Sequence, residues 1–168
     1  ANNTEEIILG STTENVIRKS GINVLTVKRE IITFELNHIL FPSNFSKESY
    51  SVFVSVKEFA KLFNATIHLL RVNKKDSLHD KTTPKMDAFI EHFNLDGEGY
   101  SYEKAICTNP SPEFGILNYS VDNNIDMIAI GTHGQSVLKG FFRGSTSQSL
   151  IRDAFKPVLA LKFNKKSP

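Results

Sequence analysis

An open, mostly parallel α/β sheet with helices on both faces is the fold class predicted by this sequence, on three observations. Five short apolar runs of strand length alternate with stretches whose apolar residues fall at helical spacing. The run at 125–130 is apolar on both faces apart from Asp126, as suits a strand covered by helices on both sides. Pro42 closes the first run, because proline has no N–H to give a central ladder.

A first strand over 36–41 stops at Pro42. Ser46 is placed to cap a helix whose apolar positions Val52, Val56, Phe59, Ala60 and Phe63 share one face, with Asn64 ending it. A second strand over 65–72 leads into the polar stretch 73–83, read as a loop, and a short helix over 84–93. A third strand over 100–107 precedes a helix with Pro110 and Pro112 near its start that runs to about 123. The fourth strand covers 125–130, a polar segment 131–143 comes next, and a helix over 145–154 leads into the last strand, 157–163. Ligands of such sheets sit beyond the carboxyl ends of the strands, where the strand order reverses. The segments leaving the first and fourth strands are therefore the candidates for a site.

A repeat organises the rest. Gly10-Ser11-Thr12-Thr13-Glu14-Asn15-Val16-Ile17-Arg18 reappears as Gly144-Ser145-Thr146-Ser147-Gln148-Ser149-Leu150-Ile151-Arg152. In the same register, Val24-Leu25-Thr26-Val27-Lys28 reappears as Val158-Leu159-Ala160-Leu161-Lys162. Residues 1–34 read as the last helix and strand of a preceding domain plus a linker, and 35–168 as a complete unit. The start at Ala1, without an initiator Met, reads as a cut from a longer chain. A strand over 22–28 alone would leave a sheet edge open, so it is expected to run antiparallel to 157–163, within the chain or swapped into a second copy.

Composition narrows the function. A net charge of +2 with 23% charged and 40% hydrophobic residues indicates neither disorder nor a nucleic-acid field. The apolar runs are too short for a membrane span, and the acidic start at 1–6 has no signal-peptide pattern. The single cysteine, Cys107, makes no internal disulfide, fits a reducing cytoplasm, and reads as a buried small hydrophobe.

After the fourth strand the chain reads Gly131-Thr132-His133-Gly134, then nine residues, then Gly144-Ser145. Gly131 suits a sharp turn out of the strand, and Gly134 lets backbone N–H groups approach an anion. Gly144 and Ser145 open a helix whose free N–H groups and dipole favour phosphate, with Thr146 and Ser147 as neutral donors. Ser145 with Gln148 also has the form of a capping box, as do Ser11 and Glu14, so a capped structural turn is the alternative. Lys139 and Arg143 read as solvated loop charges and His133 as a loop histidine.

This run, Ile125 through Gly144-Ser145 to Pro157-Val158-Leu159-Ala160-Leu161, resembles the universal stress protein family. Nucleotide-binding members carry Gly-x2-Gly-x9-Gly-(Ser/Thr), matched by Gly131, Gly134, Gly144 and Ser145. The resemblance implies a Rossmann-like, adenine nucleotide alpha hydrolase-like sheet of order 3-2-1-4-5. It also implies binding of ATP or a related adenine nucleotide, with Mg2+ as a companion, and homodimers or tandem pairs joined through their last strands. The family's Pro-Thr-Asp-Phe-Ser after strand one stands here as Pro42-Ser43-Asn44-Phe45-Ser46, which puts Asn44 where a carboxylate meets the ribose. Val72 matches the position whose backbone reads the adenine edge, and Ile130 one that packs near the base or sugar.

No Walker-type Gly-x4-Gly-Lys-(Ser/Thr), dinucleotide fingerprint or Gly-x-Ser-x-Gly elbow is present. The histidines at 38, 68, 79, 92 and 133 have no metal-ligand spacing. No carboxylate lies between Gly131 and Gln148 to anchor a metal for phosphoryl transfer. A non-enzymatic adenine-nucleotide-binding module of the stress response is expected, ahead of a slow ATP hydrolase or phosphotransferase and of a ligand-free dimerisation module.

Overall fold

The computed structural model describes residues 16–17, 19–27, 33–74, 82–132 and 154–163. Its centre is β2 (His38–Pro42), flanked by β3 (Thr66–Asn73) on one side and β5 (Met127–Thr132) on the other, both parallel to it. β4 (Tyr102–Thr108) pairs parallel with β3, and β6 (Val158–Lys162) parallel with β5. β1 (Val24–Thr26) lies outside β6, so the six-stranded order is β1-β6-β5-β2-β3-β4. Without β1, the five parallel strands have the order 3-2-1-4-5 that the family resemblance implies. Burial tracks position: all six residues of β5 are buried, whereas β4, at the edge, has only half-buried and exposed residues.

Helices cover the two faces. α1 (Tyr50–Phe63) and α2 (Thr82–His92) contribute to one core with Ile39, Phe41, Ile67 and Leu69. There Phe89 meets Phe53 and Phe93 at ring-centroid distances of 4.7 and 4.9 Å. α3 (Pro112–Asp122) contributes Ile116 to the opposite core, with Leu40, Leu70, Val72, Ile128 and Ile130. The alternation of Ile39, Leu40 and Phe41 between the two cores is the period of a central strand.

Several local expectations need correction. Ser46 makes no side-chain cap; it precedes a 3-10 turn, Lys47–Ser49, and its carbonyl accepts from the backbone N–H of Ser49 at 2.9 Å. Asn64 does end α1, in the left-handed conformation at φ 53°. Cys107 is half-buried, because its strand is an edge, and burial pushes its thiol up from its ordinary pKa. Gly131 does not turn the chain: it lies within β5, opposite Leu161, and the strand continues to Thr132.

The N-terminal segment docks within its own chain. β1 runs antiparallel to β6, pairing Val24 with Ala160, Leu25 with Leu159 and Thr26 with Val158, three residues where a longer ladder was expected. Side chains extend the contact: Asn23 accepts from the Lys162 backbone N–H at 3.0 Å and the Thr26 hydroxyl donates to the Val158 carbonyl at 3.2 Å. The Lys162 ammonium donates to the Ile17 carbonyl, at the end of a helical turn where a cation is favoured. Ile17 itself is buried in the same core as Ile130.

Candidate functional site

The connections place the site. From β2 the chain moves to β3 and β4 on one side, then crosses to β5 and β6 on the other, so the order reverses between β2 and β5. In open sheets of this kind, ligands bind beyond the carboxyl ends of the two strands at such a reversal.

Residues 43–46 form one wall and are held from within. The Ser43 backbone N–H donates to the Leu70 carbonyl at 2.9 Å, and the Ser43 hydroxyl accepts from the Phe45 N–H at 2.9 Å. The Asn44 side-chain oxygen accepts from the Ser46 N–H at 3.0 Å, an Asx turn that uses one of its two lone pairs and leaves the amide NH2 for other partners. Phe45 sits at φ 54°, a conformation that costs a bulky residue about 1–3 kcal/mol. Its ring is 3% exposed and meets Phe89 edge-on at 5.2 Å, which offsets that strain and fixes the loop. Pro42 is the last residue of β2 to pair, with Leu70.

β3 reaches farther than β2. The Thr66 N–H bonds to the Asn37 carbonyl and the Leu70 carbonyl to the Ser43 N–H, both toward β2, while the Ile67 N–H and the Asn73 carbonyl bond toward β4. The alternation directs the backbone N–H and C=O of Val72 toward the β2 side, past the point where the β2 ladder ends. The Val72 side chain is fully buried against Gly115, where an added Cβ would stand 2.7 Å from the valine Cγ1.

On the opposite wall, Ile130 is fully buried and pairs with Ala160. Gly131 is a close approach: a Cβ there would stand 2.6 Å from the Phe163 ring and 3.2 Å from Val52 Cγ2. Thr132 ends β5, and its hydroxyl donates to the Leu161 carbonyl at 3.2 Å. Gly134, Gly144, Ser145, Thr146 and Ser147, with His133, Lys139 and Arg143, lie outside the described residues. Of the sequence-predicted positions, the fold thus brings Pro42, Ser43, Asn44, Val72, Ile130 and Gly131 to the carboxyl end of the sheet.

Two features escaped the sequence. Asp126 accepts from the backbone N–H groups of both Asn37 and His38 at 2.9 Å, tying the start of β2 to β5. His38 and His68 meet across adjacent strands, their Nδ1 and Nε2 atoms 3.0 Å apart. Spacing along the chain cannot reveal either contact. Among the described residues no group of three or more His, Cys, Asp or Glu is placed to hold a metal ion. An open cleft of about 300 Å³ between α2 and β4 is lined by Asp87, Asp96, Tyr102 and Lys104. Its polar groups engage one another, Tyr102 with Asp96 at 2.7 Å and Lys104 with Asp87 at 3.1 Å. It is separate from the strand-end crevice.

Comparisons agree with this fold. The chain is 26% identical over 151 residues to universal stress protein MJ0577 of Methanocaldococcus jannaschii, covering 74% of this chain and 93% of that protein. A universal stress protein structure from Archaeoglobus fulgidus superposes with a TM-score of 0.75 at 26% identity, over 99% of this chain; the present chain spans 59% of its length. A second A. fulgidus structure, solved in complex with dAMP, has a TM-score of 0.58 at 16% identity, over 77% of this chain and 100% of that one. A universal stress protein in complex with cAMP has a TM-score of 0.58 at 15% identity, over 77% of this chain and 99% of that one. The universal stress protein family model matches residues 35–162, from the linker before β2 to the end of β6, and the chain belongs to that family.

Proposed function

We propose that the crevice beyond β2 and β5 binds an adenine nucleotide, ATP or a close relative, and that the chain acts as a non-enzymatic nucleotide-responsive module in a stress response. The observation that carries the reading is the backbone of Val72, directed past the end of β2 beside the locked loop at 43–46. An adenine edge needs one donor and one acceptor at peptide spacing, and Val72 supplies both. Asn44 faces the ribose, Ile130 packs beneath the sugar or base, and Gly131, Gly134, Gly144, Ser145, Thr146 and Ser147 take the phosphates. The dAMP and cAMP complexes of fold relatives support an adenine nucleotide as the class of ligand.

Mg2+ would accompany a triphosphate through its phosphate oxygens, since the sequence from Gly131 to Gln148 offers no carboxylate. The same lack speaks against phosphoryl transfer. The balanced charge and lone cysteine fit a cytoplasmic module without nucleic-acid or membrane partners. In the assembly we propose, residues 1–34 end a preceding domain, and β1 takes the place of a neighbour's last strand. The same contact formed between two copies would give a strand-swapped homodimer.

Thermal unfolding with AMP, ADP, ATP and cAMP at millimolar concentrations tests the reading. A ligand at a hundredfold excess over its Kd stabilises by about 2.7 kcal/mol. No shift with any of the four refutes nucleotide binding, and turnover above background refutes the non-enzymatic part.

A further inference from the structure

At the end of the sheet opposite the nucleotide crevice, two histidines share one hydrogen bond. His38 opens β2, and His68 stands opposite Leu40 on β3, so both project onto the face that α3 covers. Their rings are 5.1 Å apart at 66°, with His38 Nδ1 and His68 Nε2 at 3.0 Å. His68 is 2% exposed, and its other nitrogen lies 3.0 Å from the Tyr119 hydroxyl of α3 and 3.5 Å from the Glu103 carboxylate of β4.

We propose that His38 and His68 form an acid-sensitive clasp that accepts one added proton and excludes a second, so that acidification loosens α3 from the start of β2 and β3. The contact requires one N–H pointing at one bare nitrogen. A neutral pair satisfies it, with Tyr119 completing the chain. One added proton also satisfies it, because an outer nitrogen takes it and the inner gap is unchanged. A second sets N–H against N–H at 3.0 Å in a part-buried site, and the rings must part.

The groups facing the clasp are Glu103 and, through Tyr119, Cys107 on β4, and Tyr119 itself on α3. Asp126, before β5, holds the His38 backbone N–H. Burial raises the Tyr119 pKa, so its hydroxyl stays protonated. Burial first lowers the His68 pKa below its ordinary 6.5; Glu103 opposes this and His38 adds to it. A lowered histidine pKa gives stability that is complete above about 6.5 and is lost as pH falls from there through the folded value.

The test has two arms. In urea unfolding from pH 8 to 5, the unfolded chain binds two protons on these rings and the native clasp one. Together they raise the unfolding equilibrium constant about tenfold per pH unit below 6. In His38→Gln, the introduced amide oxygen accepts from a doubly protonated His68 beside Glu103, so the slope falls below that of wild type and what remains is due to burial of His68. A slope equal to wild type would show that burial of His68 alone acts, and would overturn the clasp. The second arm tracks ring nitrogens by NMR in the unaltered protein, each ring assigned through bonds to its backbone, which serves even where the variant fails to fold. Two linked steps more than one pH unit apart are expected. A single common step near 6.5 would overturn the proposal.

Discussion

Gly131→Ala separates two roles for this glycine. As a turn it would tolerate alanine poorly through its backbone; as a contact, through what the methyl meets. The new Cβ would stand 2.6 and 2.7 Å from two ring carbons of Phe163 and 3.2 Å from Val52. Carbon atoms sit comfortably at about 3.5–4.0 Å, so the ring must retreat by about 1 Å. Overpacking of that size costs about 1–3 kcal/mol, while alanine in place of glycine within a strand returns about 0.5–1 kcal/mol. The net loss is about 0–2.5 kcal/mol, or up to about 10 °C in Tm for a chain of this size. Phe163→Ala clears the space, so in that background Gly131→Ala should be neutral or mildly stabilising. Calorimetry on the four proteins of this cycle reads the coupling directly. Additivity within about 0.5 kcal/mol, or a stabilising Gly131→Ala in the parent, would refute the packing role.

Asn44→Asp keeps the Asx turn to Ser46 and replaces the amide NH2 with a second, charged acceptor; several-fold to tenfold tighter binding of ribonucleotides is expected by isothermal titration, and an unchanged Kd would remove this side chain from the site. Phe89→Ala leaves a cavity among Phe41, Phe53 and Phe93 and lifts the restraint on Phe45, so the urea midpoint should fall by the equivalent of about 3–5 kcal/mol with m unchanged. Asp126→Ala strips the acceptor from two backbone N–H groups and should cost about 1.5–3 kcal/mol, whereas Asp126→Asn, which keeps one carbonyl oxygen, should lose less; equal losses in urea unfolding would contradict the double bond.

The core strands were legible because burial on both faces leaves a continuous apolar run, as in Met127 to Ile130, and Asn64 was legible because left-handed helix ends favour it. Strand boundaries moved by one or two residues, and the start of α1 by three, where Ser49 rather than Ser46 precedes the helix. The site was legible in part: Pro42 marks the end of a strand, Asn44 follows it, and Val72 ends an apolar run. The direction of the Val72 backbone was not legible, because it depends on whether even or odd residues of β3 bond toward β2. Gly131 was misjudged for a related reason. A glycine looks the same in a turn and under an aromatic ring, and Phe163 lies far from it in the chain.

The sequence by itself determined the alternation of strands and helices, the glycine-rich motif, and the copy of the last strand at the N-terminus. Each is a local pattern, written in the spacing of residues near one another in the chain. Only the tertiary structure decided that β1 pairs with β6 over Val24–Thr26, that Asp126 ties β2 to β5, and that His38 and His68 meet within hydrogen-bonding distance. Those depend on register between distant strands, which is set by the summed packing of both cores rather than by any single stretch of sequence.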